Sequence, residues 1–469
     1  MRPLFELTPE SLRVIAPVCG MSAIGAHAVP RALALMLILA SPVHAQQGPV
    51  LEFRDDIRAG SLPEGERRSA PYYLMAPTGA PDASADVRPL SLTVRQGWRR
   101  SSNLYALSAS AAQAQPALSG ADTVMVSGLR AAYDRRAGAQ EIALWADVSN
   151  NTYRRFDDLD NVAWSAGGQL NWQLGRQWYG TLAGGSQRLL NPFSNQNRAI
   201  RNQLALNSLA SSVGYRFGTR WSVFAGADFA SRRNGEPLFR ESDLDQTGLE
   251  TGMRFQHPTG DADASVVLRT VRGRFLNAQT SDALGDPLAQ SIDNAFRDRS
   301  LLLRGALRLS APSYVVGEIG ITSRRFDTLS GRNFSGLTGS FLWQWQPTDP
   351  LRTEVYVRRN LGPIQLASAS SVDAIQAGVA VSWRIAPKVT LGAHAGWDRY
   401  VYVGDSAGVA GQGAERRDRV RVIGVSATWQ AWRNVQLIAD HRRELRSSNY
   451  SVFHYDVDIT SVFVQARFD

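Results

Sequence analysis

A chain of 469 residues has room for roughly two or three ordinary soluble domains. Small and polar residues nevertheless run evenly beyond position 100, with no linker between differently composed halves, so one repetitive architecture is expected. The formal charge of +9 is almost all guanidinium, since Lys388 is the sole lysine, and the arginines are interleaved with carboxylates, which argues against nucleic acid as a partner.

The one long apolar run lies near the start. Arg31 precedes Ala32-Leu33-Ala34-Leu35-Met36-Leu37-Ile38-Leu39-Ala40, and Val43 and Ala45 supply the small residues of a secretory cleavage site. Residues 1–45 are therefore expected to be a signal peptide with an N-terminal extension, or with an early start for which Met21 is the alternative. The run is too short for a transmembrane helix, which needs about 20 residues. Its removal takes three Arg and two Glu and leaves a charge of +8. It also takes Cys19, the only cysteine, which excludes disulfides, Cys-ligated zinc and a thiol nucleophile from the mature chain. Residues 46–86, rich in Pro, Ala and charge, are expected to form a periplasmic segment or a plug, and 87–469 the main body.

That body alternates. From Val162 to Leu174 one face carries Val162, Trp164, Ala166, Leu170, Trp172 and Leu174; the other carries Ser165, Gly167, Gln169, Asn171 and Gln173. Ile142-Leu144-Ala146-Val148, Val379-Val381-Trp383-Ile385 and Val389-Leu391-Ala393-Ala395-Trp397 repeat the pattern. A period of two over such lengths is a strand with one greasy and one wet face, long enough to cross a membrane at a tilt. A closed barrel crosses without helices because every backbone group pairs between strands.

Short turn signals fall at Arg99–Ser102, Asp134–Gly138, Gly175–Arg176, Gly218–Thr219, Pro258–Gly260, Ala311–Pro312, Pro347–Pro350, Ala386–Lys388 and Trp432–Asn434. Longer polar stretches lie between them, near 149–160, 188–202, 232–246, 276–297, 326–334, 360–372, 401–418 and 446–454. Tight turns on the periplasmic side and long loops outside are what a transmembrane barrel requires. The sequence thus predicts an all-β, antiparallel, up-and-down barrel of about 18 strands, within a range of 16 to 20. The alternating Leu90-Leu92-Val94 is either a further strand or a periplasmic lead-in. Nine of the twelve tryptophans (Trp98, Trp172, Trp178, Trp221, Trp343, Trp345, Trp383, Trp429 and Trp432) sit near the turn signals, as an interfacial girdle would place them. The end of the last strand at Phe468, one residue before Asp469, offers the terminal aromatic that outer-membrane assembly machinery reads.

Arginines and acids cluster at the predicted strand tops. The candidates for a substrate path are Arg154, Arg155, Asp157, Asp158, Asp160, Arg324, Arg325, Arg358, Arg359 and Arg442. Two readings stand: ion-pair networks that stiffen a polar lumen, or a basic track for an anionic chain. No catalytic or metal constellation is expected and no cofactor. His257, His394, His441 and His454 have no ligand spacing, and Asp440 and His441, as strand neighbours, face opposite ways. The chain is not expected to be an enzyme.

The signal, the tract Tyr153-Arg154-Arg155-Phe156-Asp157-Asp158-Leu159-Asp160-Asn161 and the closing hairpin carry a resemblance. In that hairpin Asp418-Arg419-Val420, Ser426-Ala427-Thr428-Trp429-Gln430, the turn at Arg433-Asn434 and the run to Val464-Gln465-Ala466-Arg467-Phe468 follow one another. Together they resemble the outer-membrane β-barrel porins encoded with exopolysaccharide biosynthesis genes, the EpsL type, over most of the mature chain. The resemblance implies export of a polysaccharide, here expected to be acidic, across the bacterial outer membrane. The partners would be outer-membrane lipid, the assembly machinery, the polysaccharide and periplasmic export components. An uptake porin for small solutes, with 276–297 as an inward constriction loop, and a structural or adhesive barrel plugged by 46–86 are the alternatives.

Overall fold

The computed structural model describes residues 89–468 apart from 192, 194–198, 259–260, 282–286, 294, 329–332, 367–368 and 404–415. The signal and the 46–86 segment therefore lie outside the described residues. Eighteen strands make one antiparallel sheet. Its first half is β1 (Leu90–Ser101), β2 (Asp122–Ala137), β3 (Gln140–Tyr153), β4 (Asn161–Leu174), β5 (Trp178–Leu190), β6 (Gln203–Phe217), β7 (Trp221–Asn234), β8 (Leu244–Gln256) and β9 (Ala262–Phe275). Two short strands, β10 (Gln279–Ser281) and β11 (Pro287–Ile292), pair only with each other. The barrel resumes with β12 (Phe296–Ser310), β13 (Ser313–Phe326), β14 (Phe334–Thr348), β15 (Leu351–Leu366), β16 (Ala369–Ala386), β17 (Val389–Val403), β18 (Arg417–Trp432), β19 (Val435–Ser448) and β20 (Tyr455–Phe468). β1 pairs with both β2 and β20, with Trp98 opposite Met125 on one side and Val462 on the other, so the sheet closes and no edge remains.

One rim carries eight turns of two to five residues, the other the long connections. Gly138, Gly175 and Gly218 take positive φ in three of the tight turns, a conformation that costs glycine little. Two expectations change. Arg99–Ser102 is not a turn: Arg99, Arg100 and Ser101 finish β1, because the alternation begun at Leu90 continues through Trp98, and Leu90-Leu92-Val94 belongs to the first barrel strand. The connection that follows, residues 102–121, is a long one on the loop rim and holds a short helix, α1 (Ala109–Ala114). Likewise 360–372 is not a loop. β15 and β16 stay paired through Gly362 opposite Val372 and Pro363 opposite Ser371, so this hairpin extends to a two-residue connection.

The outward face is apolar and exposed throughout the middle of the barrel: Leu129, Leu144, Leu182, Leu209, Leu249, Leu268, Leu303, Ile321, Val379 and Val425 each belong to it. The alternate positions are polar and buried, among them Ser165, Gln169, Glu250, Arg254, Gln376 and Asp398. That inversion, oil outside and water-loving groups inside, is the pattern of a barrel solvated by lipid. No helix among the described residues is long and apolar enough to span a membrane. Eight of the nine tryptophans expected in a girdle lie at the short-turn rim, where Trp178 packs on Tyr215, Trp221 on Phe255 and Trp343 on Trp345. Trp98 is the exception, near the loop end of β1.

Candidate functional site: the lumen wall and its mouth

On the inner face a ladder of paired charges crosses five strands. In β9, Arg269 donates to Asp228 of β7 at 2.7 Å and to Glu250 of β8 at 3.1 Å. Arg304 of β12 reaches the same Glu250 at 3.2 Å and pairs on its other side with Glu318 of β13. Ser340 lies opposite Glu318, Arg358 opposite Ser340, Gln376 opposite Arg358 and Asp398 opposite Gln376, which carries the polar line on through β17. Arg358 interacts electrostatically with Glu318. A separate group forms near the loop rim, where Asp418 accepts from Arg416 at 2.7 Å and from Arg446, and Tyr455 donates to Glu444 at 2.6 Å. Such pairing is what low polarizability demands of buried charge, since a lone guanidinium there would be severely penalised.

The mouth is packed rather than merely fringed. Tyr105, from the 102–121 connection, is buried against Phe156 and Phe193 with ring centroids 4.9 and 4.4 Å away, both edge-on. Burial first, then the negative charges of Asp158 and Asp122, push its hydroxyl up to about 12, with Arg155 opposing. Asp122, at the top of β2, accepts from the backbone amides of Arg155 and Phe156 at 3.0 and 3.2 Å. The Arg155 guanidinium in turn donates to the carbonyls of Ser119 and Ala117 at 2.7 and 3.0 Å. The tract singled out by resemblance thus clamps the first loop into the mouth.

A second element narrows the opening. The extended β15–β16 hairpin reaches the 3-10 turn Pro237–Ser242, in the β7–β8 connection several strands away. Arg324 of β13 anchors its base, donating to Ser371 Oγ at 3.1 Å and to the Leu361 carbonyl at 3.3 Å. The 276–297 segment, expected as a constriction loop, is tied to the rim at both ends, and its middle, residues 282–286, lies outside the described residues. The Leu276 amide donates to the Asp243 carbonyl at 2.9 Å, Asn277 donates to the Arg240 carbonyl at 2.8 Å, and Asp293 accepts from Thr328 at 2.7 Å.

The ten candidates divide by position. Arg324, Arg358 and Arg442 turn inward, Arg324 and Arg442 buried and Arg358 half-buried; Arg442 lies opposite Gly424, whose other neighbour is His394. Arg154, Asp157 and Asp158 are exposed at the mouth. Arg155 clamps the first loop, and Asp160 accepts from the Tyr153 amide at 2.7 Å. Arg325 and Arg359 do not join the lumen. Each follows an inward residue directly, so its side chain turns out, and Arg359 there pairs with Asp373 at 2.8 Å. Sequence reading missed Asp228, Glu250, Arg269, Arg304 and Glu318, because none has its partner nearby in the sequence and only cross-strand register brings them together. Asp440 and His441 do face opposite sides; His441 is exposed and shares a 2.9 Å hydrogen bond with Thr460. Among the described residues no three His, Asp or Glu side chains cluster as a metal site would need.

Residues 299–468 match the family model described as "Putative beta-barrel porin 2". The chain is a β-barrel of the bacterial outer membrane. Its porin-like sequence covers β13 to β20 and most of β12, and so includes Arg304, Glu318, Arg358 and the reaching hairpin. No curated protein matches the chain. Among solved structures it is similar to the outer membrane protein OpdK of Pseudomonas aeruginosa, with 10% identity over 81% of this chain and 98% of that one and a TM-score of 0.42. It is also similar to the siderophore receptor PirA of Pseudomonas aeruginosa (9% identity, 82% and 81% covered, TM-score 0.39) and to the alcaligin receptor FauA of Bordetella pertussis (10%, 82% and 77%, 0.39).

Proposed function

We propose that this porin-like barrel passes an acidic exopolysaccharide outward across the outer membrane. The observation that supports this reading is the paired ladder from Asp228 to Glu318, with Arg358 beyond it. Its charges are spent on one another, so the wall is densely polar yet close to neutral where the ladder runs. A sugar polymer sliding along it exchanges one set of moderate hydrogen bonds for another and meets no deep trap, the condition for conduction through a multi-site passage. The resemblance to porins of exopolysaccharide operons favours the same cargo. The β15–β16 hairpin over the mouth favours a second reading, a selective uptake porin, because such a constriction sieves by size. Single-channel recording in planar bilayers tests the choice. The export reading expects open current that acidic oligosaccharides interrupt briefly and that salt makes less sensitive to them. Current blocked only by small solutes would favour uptake, and no current at all would favour a plugged structural barrel.

A further inference from the structure

We infer that the outward face at the loop end of β9, β12 and β13 is a binding site for the phosphate groups of a membrane lipid. In the register Arg297 lies directly opposite Arg272 on one side and Arg325 on the other, so three arginines stand side by side on adjacent strands. All three are exposed, and none makes a hydrogen bond or ion pair with a protein group among the described residues. Like charges directly opposite one another across a sheet repel, so the arrangement is unfavourable until an anion joins it.

Arg399 and Arg419 also face each other on the outward side of this rim, but as a pair and not a triad, and three other outward arginines are neutralised by carboxylates. Arg233 pairs with Asp245 at 2.6 Å, Arg359 with Asp373 at 2.8 Å and Arg443 with Asp456. Two carboxylates flank the triad: Asp245, opposite Arg274, already holds Arg233, and Asp327, two residues after Arg325, forms no ion pair with the three among the described residues. The next row on the same face is still polar, with Thr270, Arg299 and Ser323 side by side, and below it the face turns apolar, with Leu268 on β9, Leu301 and Leu303 on β12 and Ile321 on β13 all exposed. Guanidinium above and hydrocarbon below is the profile of a phosphorylated amphiphile: phosphate accepts from several guanidinium donors at once while the acyl chains lie along the leucines. Free phosphate would use only the upper half of that surface, so the occupant is the lipid.

The test uses lipid A, a bis-phosphorylated glycolipid, titrated into the purified full-length barrel in detergent. The expected result is saturable binding that weakens at least tenfold in the R272Q/R297Q/R325Q variant, that falls steeply with salt and that is unchanged in R443Q, whose arginine is already paired. Wild-type protein should bind dephosphorylated lipid A at least tenfold more weakly, a comparison that needs no variant to fold. Equal affinity for the two lipids, equal affinity of the triple variant, or displacement of the lipid by equimolar inorganic phosphate would each overturn the inference.

Discussion

Arg324 grips Asp298 through two parallel hydrogen bonds, 2.8 and 2.7 Å long, across the seam between β13 and β12. The same guanidinium lies 4.1 Å from the centre of the Phe296 ring and holds the base of the β15–β16 hairpin. One buried cation thus couples the wall to the element that narrows the mouth.

Removing its partner should be expensive. Asp298→Ala leaves Arg324 buried without its bidentate acceptor, and breaking a buried pair this way costs about 3–5 kcal/mol. Urea unfolding of the refolded barrel should register that loss. Replacing both residues by apolar ones of similar volume should recover most of it, and a double variant as unstable as the single one would contradict the ion-pair account.

The two faces of the wall should respond oppositely to the same side chain. Leu303→Arg places a charge on the lipid face near mid-strand and should cost about 2–4 kcal/mol, whereas Ser340→Arg, inward between Glu318 and Arg358, should cost well under half of that. Folding titrations into bilayers measure both; equal penalties would overturn the assignment of faces.

The first loop should let go in alkali. Tyr105 inside the mouth titrates at about 12 against an ordinary value of 10, so the packed mouth holds its proton more tightly than the released loop does. The resulting stabilisation is complete below pH 10 and is lost as pH rises through 12. Near-ultraviolet circular dichroism should show a transition in that window while the β signal persists, and Tyr105→Phe should abolish it. A transition unaffected by Tyr105→Phe would place its origin elsewhere.

Much of this architecture was legible from period and punctuation. Val162 to Leu174 declared its two faces, Gly138, Gly175 and Gly218 marked turns, and eight tryptophans marked one interface, because each signal is local. What stayed hidden is non-local. Nothing near Glu250 announces that Arg269 and Arg304 will meet it from two later strands, since that depends on register around the barrel. Arg324-Arg325 and Arg358-Arg359 read as two equivalent pairs, yet the strand period sends one member of each inward and the other out. The polar run Arg99-Arg100-Ser101-Ser102 imitates a turn because a strand leaving the membrane becomes polar on both faces.

The proposed export role is tested most directly by deleting the gene and measuring polysaccharide outside the cell, with the wild-type gene restored as the control. The expected result is a marked fall in secreted polymer that the restored gene reverses. Unchanged polymer output, together with lost uptake of a small solute, would contradict it and decide for the uptake porin.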